Sequence, residues 1–301
     1  MISDHWPGVG SGASRGAPPL LSSPQVAELV AAGYLRFDAL VPAEINDAAS
    51  EELRANFGEP SRGLGPISRR FAPGRPLSGY FGGSGGVGRM LALPAVQGII
   101  QSLVGPDPFY DHHAIHVRRP GEPSQPLHAD AVIDARAAFD IQLMYYPEAV
   151  PARGGGTLLV PGSQFRQVNE QEIARYQNLA GQVQLECPAG TVLVLHHGLW
   201  HCGRRTYLDG ERYMFKLRLN PRVPQVRLWA CGDLEDEAVV EQVRSILERS
   251  FPWYEGAAAR LEQIQRAALF RRLSGDDTFQ VEYWLGRLEN QAHPRLDELV
   301  P

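Results

Sequence analysis

The sequence predicts a mainly β protein with flanking helices, in which the strands form an antiparallel sandwich or barrel. Between about residues 108 and 222, short β-branched or aromatic runs are separated by Pro and Gly turns. These runs are DHHAIHVRRPG, FDIQLMYYP, GGTLLVPGSQ, VQLECPAGTVLVLHH and YMFKLRLNP. No helical segments alternate with them, which argues against a parallel α/β sheet.

Before this region the sequence predicts a tail, a helix, a strand and a second helix. Residues 1–22 are rich in Gly, Ser and Pro and are expected to be flexible. The first helix has a Ser N-cap, Pro24 in its first turn and an end at Gly33. YLRFDAL reads as a short strand, and PAEINDAASEELRANFG as an amphipathic helix closed by Gly58.

Residues 59–89 are irregular and glycine-rich, with FGGSGGVG at 81–88. This run lacks the Lys-Ser/Thr ending of a phosphate-binding P-loop, and no clear strand precedes it. We therefore expect a flexible loop near an active site instead of a nucleotide site.

After Pro224 the pattern becomes helical again. Asp233 is the expected cap of LEDEAVVEQVRSILERSF, and GAAARLEQIQRAALFRRL and FQVEYWLGRLEN supply two more helical segments. The expected organisation is a tail at 1–22, a main domain at 23–224 and a helical extension at 225–301. The extension either packs on the β-domain or forms a homo-oligomer contact, and the sequence leaves both open.

The composition excludes several classes of partner. The chain has 29 basic and 34 acidic residues without long runs of either sign, so neither nucleic acid nor an anionic membrane is expected. The apolar runs are too short to span a bilayer, and no secretory signal is visible. Three isolated cysteines, Cys187, Cys202 and Cys231, argue against disulfides and structural zinc. A cytoplasmic protein is expected.

Two histidines and a carboxylate form a candidate metal site. His128 and Asp130 lie in PLHAD, and side chains two apart on a strand point to the same face. His201, in LWHCG, could come from an adjacent strand. This ligand set is the facial triad that holds ferrous iron and leaves coordination positions open. Arg212 follows and indicates an acidic small molecule beside the metal. The alternative is a chance H-x-D motif with His201 as a core residue beside Trp200.

The run from PLHADAVID through GGGTLLVPGSQ to LHHGLWHCGRRTYLDGERYMFKLRLNP resembles the phytanoyl-CoA dioxygenase family of iron(II)/2-oxoglutarate oxygenases. The resemblance covers roughly 108–222, with weaker similarity from 24. It implies a double-stranded β-helix (jelly-roll/cupin-like) core within 23–224. It also implies Fe(II) on His128, Asp130 and His201, 2-oxoglutarate held by Arg212, and dioxygen as the other cosubstrate.

His197 competes with His201 as the third ligand. The family places its arginine eleven residues after this ligand, and Arg212 is eleven residues after His201. We therefore prefer His201 and expect its strand to be joined to that of Arg212 by a hairpin turn at Asp209-Gly210.

The second contact to 2-oxoglutarate is open. Where the family often has a hydroxyl residue two positions after the distal histidine, this chain has Gly203. Thr157, Thr206 or Gln142 would have to replace it. Gln142 shares one strand face with Met144 and Tyr146, so it either binds 2-oxoglutarate or substrate, or is a polar residue at the barrel mouth.

The resemblance implies hydroxylation of an unactivated C–H bond of a small-molecule metabolite, with release of succinate and carbon dioxide. Related halogenases have a small residue at the position of Asp130, so its carboxylate favours hydroxylation over halogenation. Desaturation, cyclisation and epimerisation use the same ligands. A non-catalytic jelly-roll module that binds a metal or ligand is the alternative of another class, and it would need no arginine at 212.

Overall fold

Two antiparallel sheets form the centre of the protein, and helices cover the larger one. The computed structural model describes residues 17–57, 68–70, 81, 83–131, 138–166, 170–175, 178–252 and 256–276. The strands are β1 (Tyr34–Phe37), β2 (Ser68–Arg70), β3 (Phe109–Arg118), β4 (Ile141–Tyr146), β5 (Thr157–Leu159), β6 (Val183–Gln184), β7 (Thr191–His196), β8 (His201–Gly203) and β9 (Arg212–Asn220). The α-helices are α1 (Ser23–Ala32), α2 (Ala43–Phe57), α3 (Gly86–Leu91), α4 (Pro94–Val104), α5 (Glu170–Ile173), α6 (Glu237–Leu247) and α7 (Gly256–Ser274).

The strands are arranged as a jelly-roll core, which confirms the predicted fold class. The larger sheet has the order β1-β7-β4-β9-β3-β2 and the smaller one the order β6-β5-β8. All paired strands run antiparallel. Most neighbours in space are distant in sequence, as expected when a chain passes repeatedly between two sheets.

Alternation along β4 separates two faces of the larger sheet. Ile141, Leu143 and Tyr145 belong to the core that the sheet shares with the helices, whereas Met144 and Tyr146 pack between the sheets. Gln142 is on the same face as the latter pair and is fully buried. The shared face predicted for Gln142, Met144 and Tyr146 therefore points toward the inside of the jelly roll.

Local signals placed the N-terminal elements correctly. Ser22 is the N-cap of α1, Pro24 lies in its first turn, and Gly33 ends it in the left-handed region with φ +82°. The predicted β1 and α2 follow. Leu21, assigned from the sequence to the flexible tail, is buried in the main core.

The prediction that residues 59–89 are irregular is partly wrong, because this range contains β2 and the start of α3. Gly86 begins α3, and a Cβ at this position would collide with the backbone of Ala49 in α2. The glycine thus permits two helices to approach closely. Helix α4, over 94–104, was not predicted.

The predicted cap of the C-terminal helix is also wrong. Asp236 caps α6, and its side chain accepts from Ala238 N. Asp233 instead binds the start of α1, accepting from Ser23 N at 2.8 Å and from Ser23 Oγ at 2.5 Å. Trp229 Nε1 donates to the same hydroxyl at 2.8 Å.

Helices α6 and α7 pack against α1 and contribute to the core shared with the larger sheet. The third predicted helical segment, FQVEYWLGRLEN, lies outside the described residues. Within the described part of the chain, every helix is too short or too polar to cross a membrane.

Candidate metal centre and cosubstrate pocket

His128 and His201 meet across an isolated antiparallel bridge. His128 N donates to His201 O at 3.0 Å, and His201 N donates to His128 O at 2.8 Å. Their ring centroids are 4.6 Å apart. His201 begins β8, but the strand predicted through His128 and Asp130 is reduced to this one bridge, and Asp130 lies in a bend.

Asp130 completes a compact group of possible metal ligands. Its Oδ1 lies 3.7 Å from His128 Nε2, and its Oδ2 lies 3.5 Å from His201 Nε2. One donor atom from each of the three residues lies within 4.8 Å of the others. The structure thus brings together the three residues that the sequence singled out.

Backbone carbonyls orient both imidazoles. His128 Nδ1 is 2.8 Å from Pro126 O, and His201 Nδ1 is 2.8 Å from Leu199 O. Because a carbonyl can only accept, each Nδ1 carries a proton, and Nε2 is the ring nitrogen that remains to bind a metal beside Asp130. Burial lowers the pKa of His201 to about 3, which keeps this imidazole neutral.

Two further side chains contact the Asp130 carboxylate. Lys216 Nζ and Gln142 Nε2 both donate to Oδ2. Burial alone would raise the pKa of Asp130, but His201, Lys216 and His128 together hold it well below its usual range. The carboxylate is therefore ionised. Sequence analysis missed Lys216, although it lies four residues after Arg212 and so on the same face of β9.

This donor set fits a ferrous ion. Imidazole nitrogen and carboxylate oxygen are ligands that suit Fe(II), and three of them leave positions open. The ammonium of Lys216 is the cation that pairs with the Asp130 carboxylate. The buried Gln142 Oε1 has no hydrogen-bond partner among the described residues, as expected where a further ligand or water completes a site.

A partly open pocket extends from the two histidines, and Arg212 is part of its lining. Arg118, Lys216, Thr157 and Gly203 also line it. The side chains of Arg118, Arg212 and Lys216 are cationic; Asp130 pairs with Lys216, and the Glu122 carboxylate lies 3.9 Å from Arg118. This cationic lining suits a small anion.

Two backbone carbonyls, those of Gly154 and Gly155, fix the guanidinium of Arg212. Its Nε donates to Gly154 O at 3.2 Å and its Nη2 to Gly155 O at 2.7 Å, while its guanidinium lies 5.7 Å from the Tyr146 ring centre. Burial lowers its pKa, but an arginine keeps its charge. The predicted hairpin with His201 is wrong, because β8 and β9 belong to different sheets.

The other histidines of HHGLWH, and Thr206 as a second cosubstrate contact, have different surroundings. His196 Nδ1 accepts from Gly198 N at 3.0 Å, and burial lowers the pKa of His196 to about 3. His197 is buried but does not belong to the group formed with Asp130. Thr206 Oγ1 accepts from Leu208 N at 3.2 Å, which engages it in its own turn.

Comparison with known proteins identifies the family. The sequence model of the phytanoyl-CoA dioxygenase (PhyH) family matches residues 30–207, more than half of the chain. The chain belongs to this family. It is an Fe(II)- and 2-oxoglutarate-dependent oxygenase, with dioxygen as the second cosubstrate. The matched range contains His128, Asp130 and His201 and ends before Arg212.

Solved structures share the fold of this PhyH-family chain at low sequence identity. HygX from Streptomyces hygroscopicus, with nickel and 2-oxoglutarate bound, is 16% identical with a TM-score of 0.54, covering 68% of this chain and 88% of HygX. SnoK, an alpha-ketoglutarate-dependent carbocyclase from nogalamycin biosynthesis, is 18% identical with a TM-score of 0.52, covering 68% and 87%. EctD from S. alaskensis, with 2-oxoglutarate and 5-hydroxyectoine, is 16% identical with a TM-score of 0.52, covering 71% and 80%. No curated protein sequence matches the chain.

Proposed function

We propose that this oxygenase hydroxylates an unactivated C–H bond of a small-molecule metabolite and releases succinate and carbon dioxide. We assign the iron to His128, Asp130 and His201 and the distal end of 2-oxoglutarate to Arg212. The observation that carries the proposal is the convergence of three donor atoms within 4.8 Å beside a pocket that Arg212 also lines.

The chain's own residues supply the orientation that such a site requires. The carbonyls of Pro126 and Leu199 fix the two imidazoles, and burial keeps His201 neutral and able to ligate a metal. Gln142 orients the carboxylate of Asp130. When bound, iron supplies the activation of dioxygen and the oxidative decarboxylation of 2-oxoglutarate.

Arg212 provides recognition of the cosubstrate. A guanidinium matches a carboxylate with two parallel hydrogen bonds, which a lysine cannot reproduce. Its contacts with Gly154 and Gly155 hold the side chain in place before 2-oxoglutarate arrives, so less conformational entropy is lost on binding. Met144 and Met214 add apolar surface to the pocket.

The ligand set favours hydroxylation over halogenation, because Asp130 fills the position that a halide would need. Product analysis decides among the remaining reactions. Hydroxylation adds one oxygen atom to the substrate, desaturation and ring closure each remove two hydrogens, and epimerisation leaves the mass unchanged. Reaction under labelled dioxygen, followed by mass spectrometry, separates hydroxylation from the others.

Anaerobic titration of Fe(II) into the protein with 2-oxoglutarate tests the site itself. We expect a weak visible charge-transfer band from the iron-bound 2-oxoglutarate, because an open facial triad leaves room for chelation. The band should be absent from His201→Ala and strongly weakened in Arg212→Ala, with Arg212→Lys intermediate. Absence of the band in wild type, or full hydroxylase activity of Asp130→Gly, would contradict the assignment. An unchanged function in Arg212→Ala would favour the non-catalytic binding module.

A further inference from the structure

Position 203 carries no side chain, and the guanidinium of Arg118 occupies the space that one would fill. A Cβ at Gly203 would overlap Arg118 Nη2 and would lie 2.9 Å from Gln125 Oε1. Gly203 belongs to β8 and is hydrogen-bonded to Gln125 in both directions at 2.8 Å. Its backbone conformation is that of a strand, so the space taken by Arg118, and not a left-handed φ, explains the glycine.

Arg118 lies directly opposite Arg212 in the register of β3 and β9, and both line the pocket. Like charges opposite each other in a sheet are unfavourable, and more so when water is excluded. The Arg118 side chain is only 8% exposed. Burial lowers the pKa of Arg118, the nearby Glu122 carboxylate opposes this, and the charge of Arg212 adds to the lowering. An anionic group between the two guanidiniums would relieve this repulsion.

Both side chains retain donors for such an anion. Arg118 Nη1 donates to Pro123 O at 3.0 Å, and Arg118 lies 3.9 Å from the Glu122 carboxylate. Arg212 donates to the carbonyls of 154 and 155. A guanidinium has five N–H donors, so these hydrogen bonds use a minority of those available.

We propose that Arg118 binds the distal carboxylate of 2-oxoglutarate together with Arg212, in the place of the hydroxyl side chain that the family often carries at position 203. This inference rests on the proposed function. Two guanidiniums at the far end of the pocket make it selective for 2-oxo acids with a second carboxylate. A 2-oxo monoacid would offer a distal carboxylate to neither guanidinium.

A purely structural role for Arg118 would have different consequences. Its contacts with Pro123 and Glu122 could serve only to fix the turn before His128. In that case the loss of Arg118 would reduce metal binding and thermal stability, and it would weaken the binding of every 2-oxo acid to the same degree. A cosubstrate contact predicts a loss confined to ligands with a distal carboxylate.

Calorimetric titration of 2-oxoglutarate into the nickel-loaded protein measures binding without turnover. Arg118→Met keeps the apolar stem and removes the charge. We expect it to raise the Kd for 2-oxoglutarate about ten- to a hundredfold, as for loss of a hydrogen bond to a charged group. The Kd for nickel, and that for 2-oxopentanoate, which lacks the distal carboxylate, should stay within about twofold, below the effect of one hydrogen bond.

Substitution at Gly203 provides an independent arm. In the Arg118→Met background, Gly203→Ser should restore part of the affinity for 2-oxoglutarate, because the vacated space admits a hydroxyl. In the wild-type background, Gly203→Ser should weaken binding, because the new side chain must displace Arg118. If Arg118→Met fails to fold, Gly203→Ser in the wild-type background still tests whether Arg118 binds 2-oxoglutarate. An unchanged Kd would then overturn the proposal.

The outcomes separate the two levels of inference. If wild type does not bind 2-oxoglutarate, the proposed function fails. If wild type binds it and folded Arg118→Met binds it equally well, only the role of Arg118 fails. Equal losses for 2-oxoglutarate, 2-oxopentanoate and nickel would also overturn that role and assign Arg118 to the turn.

Discussion

The ammonium of Lys216 is paired with Oδ2 of Asp130, the oxygen that lies 3.5 Å from His201 Nε2. Lys216 comes from the centre of the larger sheet, whereas His201 comes from the smaller sheet. The carboxylate is therefore shared between a cation of the protein and the position of the metal. A divalent ion bound there would face a like charge at close range.

Lys216→Met should raise the affinity for a divalent metal about tenfold, because removal of the ammonium relieves repulsion that is partly screened at a solvent-accessible pocket. Competition with a chromophoric chelator for nickel measures this change. Met214→Leu, the preceding inward-facing position of β9, is the control and should leave the affinity unchanged. A weaker affinity of Lys216→Met would show that the lysine holds Asp130 in its ligating orientation.

Gln142→Leu should lower metal affinity about ten- to a hundredfold, the usual effect of removing a group that orients a metal ligand. The buried amide donates to Asp130, and leucine cannot. Metal and 2-oxoglutarate affinities should be measured separately. Unchanged metal binding with weaker 2-oxoglutarate binding would support the role predicted from sequence, a direct contact to the cosubstrate.

Two of the three histidines of HHGLWH, His197 and His201, provide a matched pair. His201→Ala should abolish tight nickel binding, because only His201 belongs to the group with Asp130. His197→Ala should retain binding within a few fold, once the folded fraction is accounted for by circular dichroism. Loss of binding in His197→Ala alone would reverse the ligand assignment.

Two glycines of FGGSGGVG should differ sharply in their tolerance of a methyl group. Gly86→Ala forces a Cβ into the backbone of Ala49 and should destabilise the fold by about 1–3 kcal/mol, as overpacking does. Gly83 has open space around its Cβ position, so Gly83→Ala is the control. Urea denaturation compares the two. Equal stabilities would contradict the close packing of α3 on α2.

His196 should make stability depend on pH. Its pKa is about 3 in the folded protein and 6.5 ordinarily, so between these values the unfolded chain binds the extra proton. Stability is therefore lost as pH falls below about 6.5. His196→Asn, whose amide can still accept from Gly198, should give a shallower slope, by at most about 1.4 kcal/mol per pH unit. Urea denaturation of metal-free protein between pH 7 and 4.5 measures it, and identical slopes would contradict burial of a neutral imidazole.

Features encoded within a few residues could be predicted from the sequence. The cap and end of α1 at Ser22 and Gly33 depend on local backbone chemistry. The shared face of Gln142, Met144 and Tyr146 on β4 follows from strict alternation. The joint occurrence of His128, Asp130 and His201 carried enough chemistry to place them together before their geometry was known.

Features that depend on register between distant strands could not be predicted. The roles of Lys216 and Arg118 arise only when β9 is aligned with β3 and β4. Asp233 resembled a helix cap in sequence, but its partner is Ser23, which is 210 residues away. The hairpin expected between His201 and Arg212 failed for the same reason, since turn chemistry does not report which sheet a strand joins.

The separation of His201 and Arg212 into different sheets changes the meaning of their eleven-residue spacing. Each is positioned by its own strand partners: β8 by β5, and β9 by β3 and β4. The connecting segment ends in an exposed turn at Gly210, where nothing lies within 4 Å of a Cβ position. Backbone hydrogen bonds fix Arg204, Arg205 and Tyr207, so only the tip of the connection could accept an inserted residue without moving either end of the cosubstrate pocket.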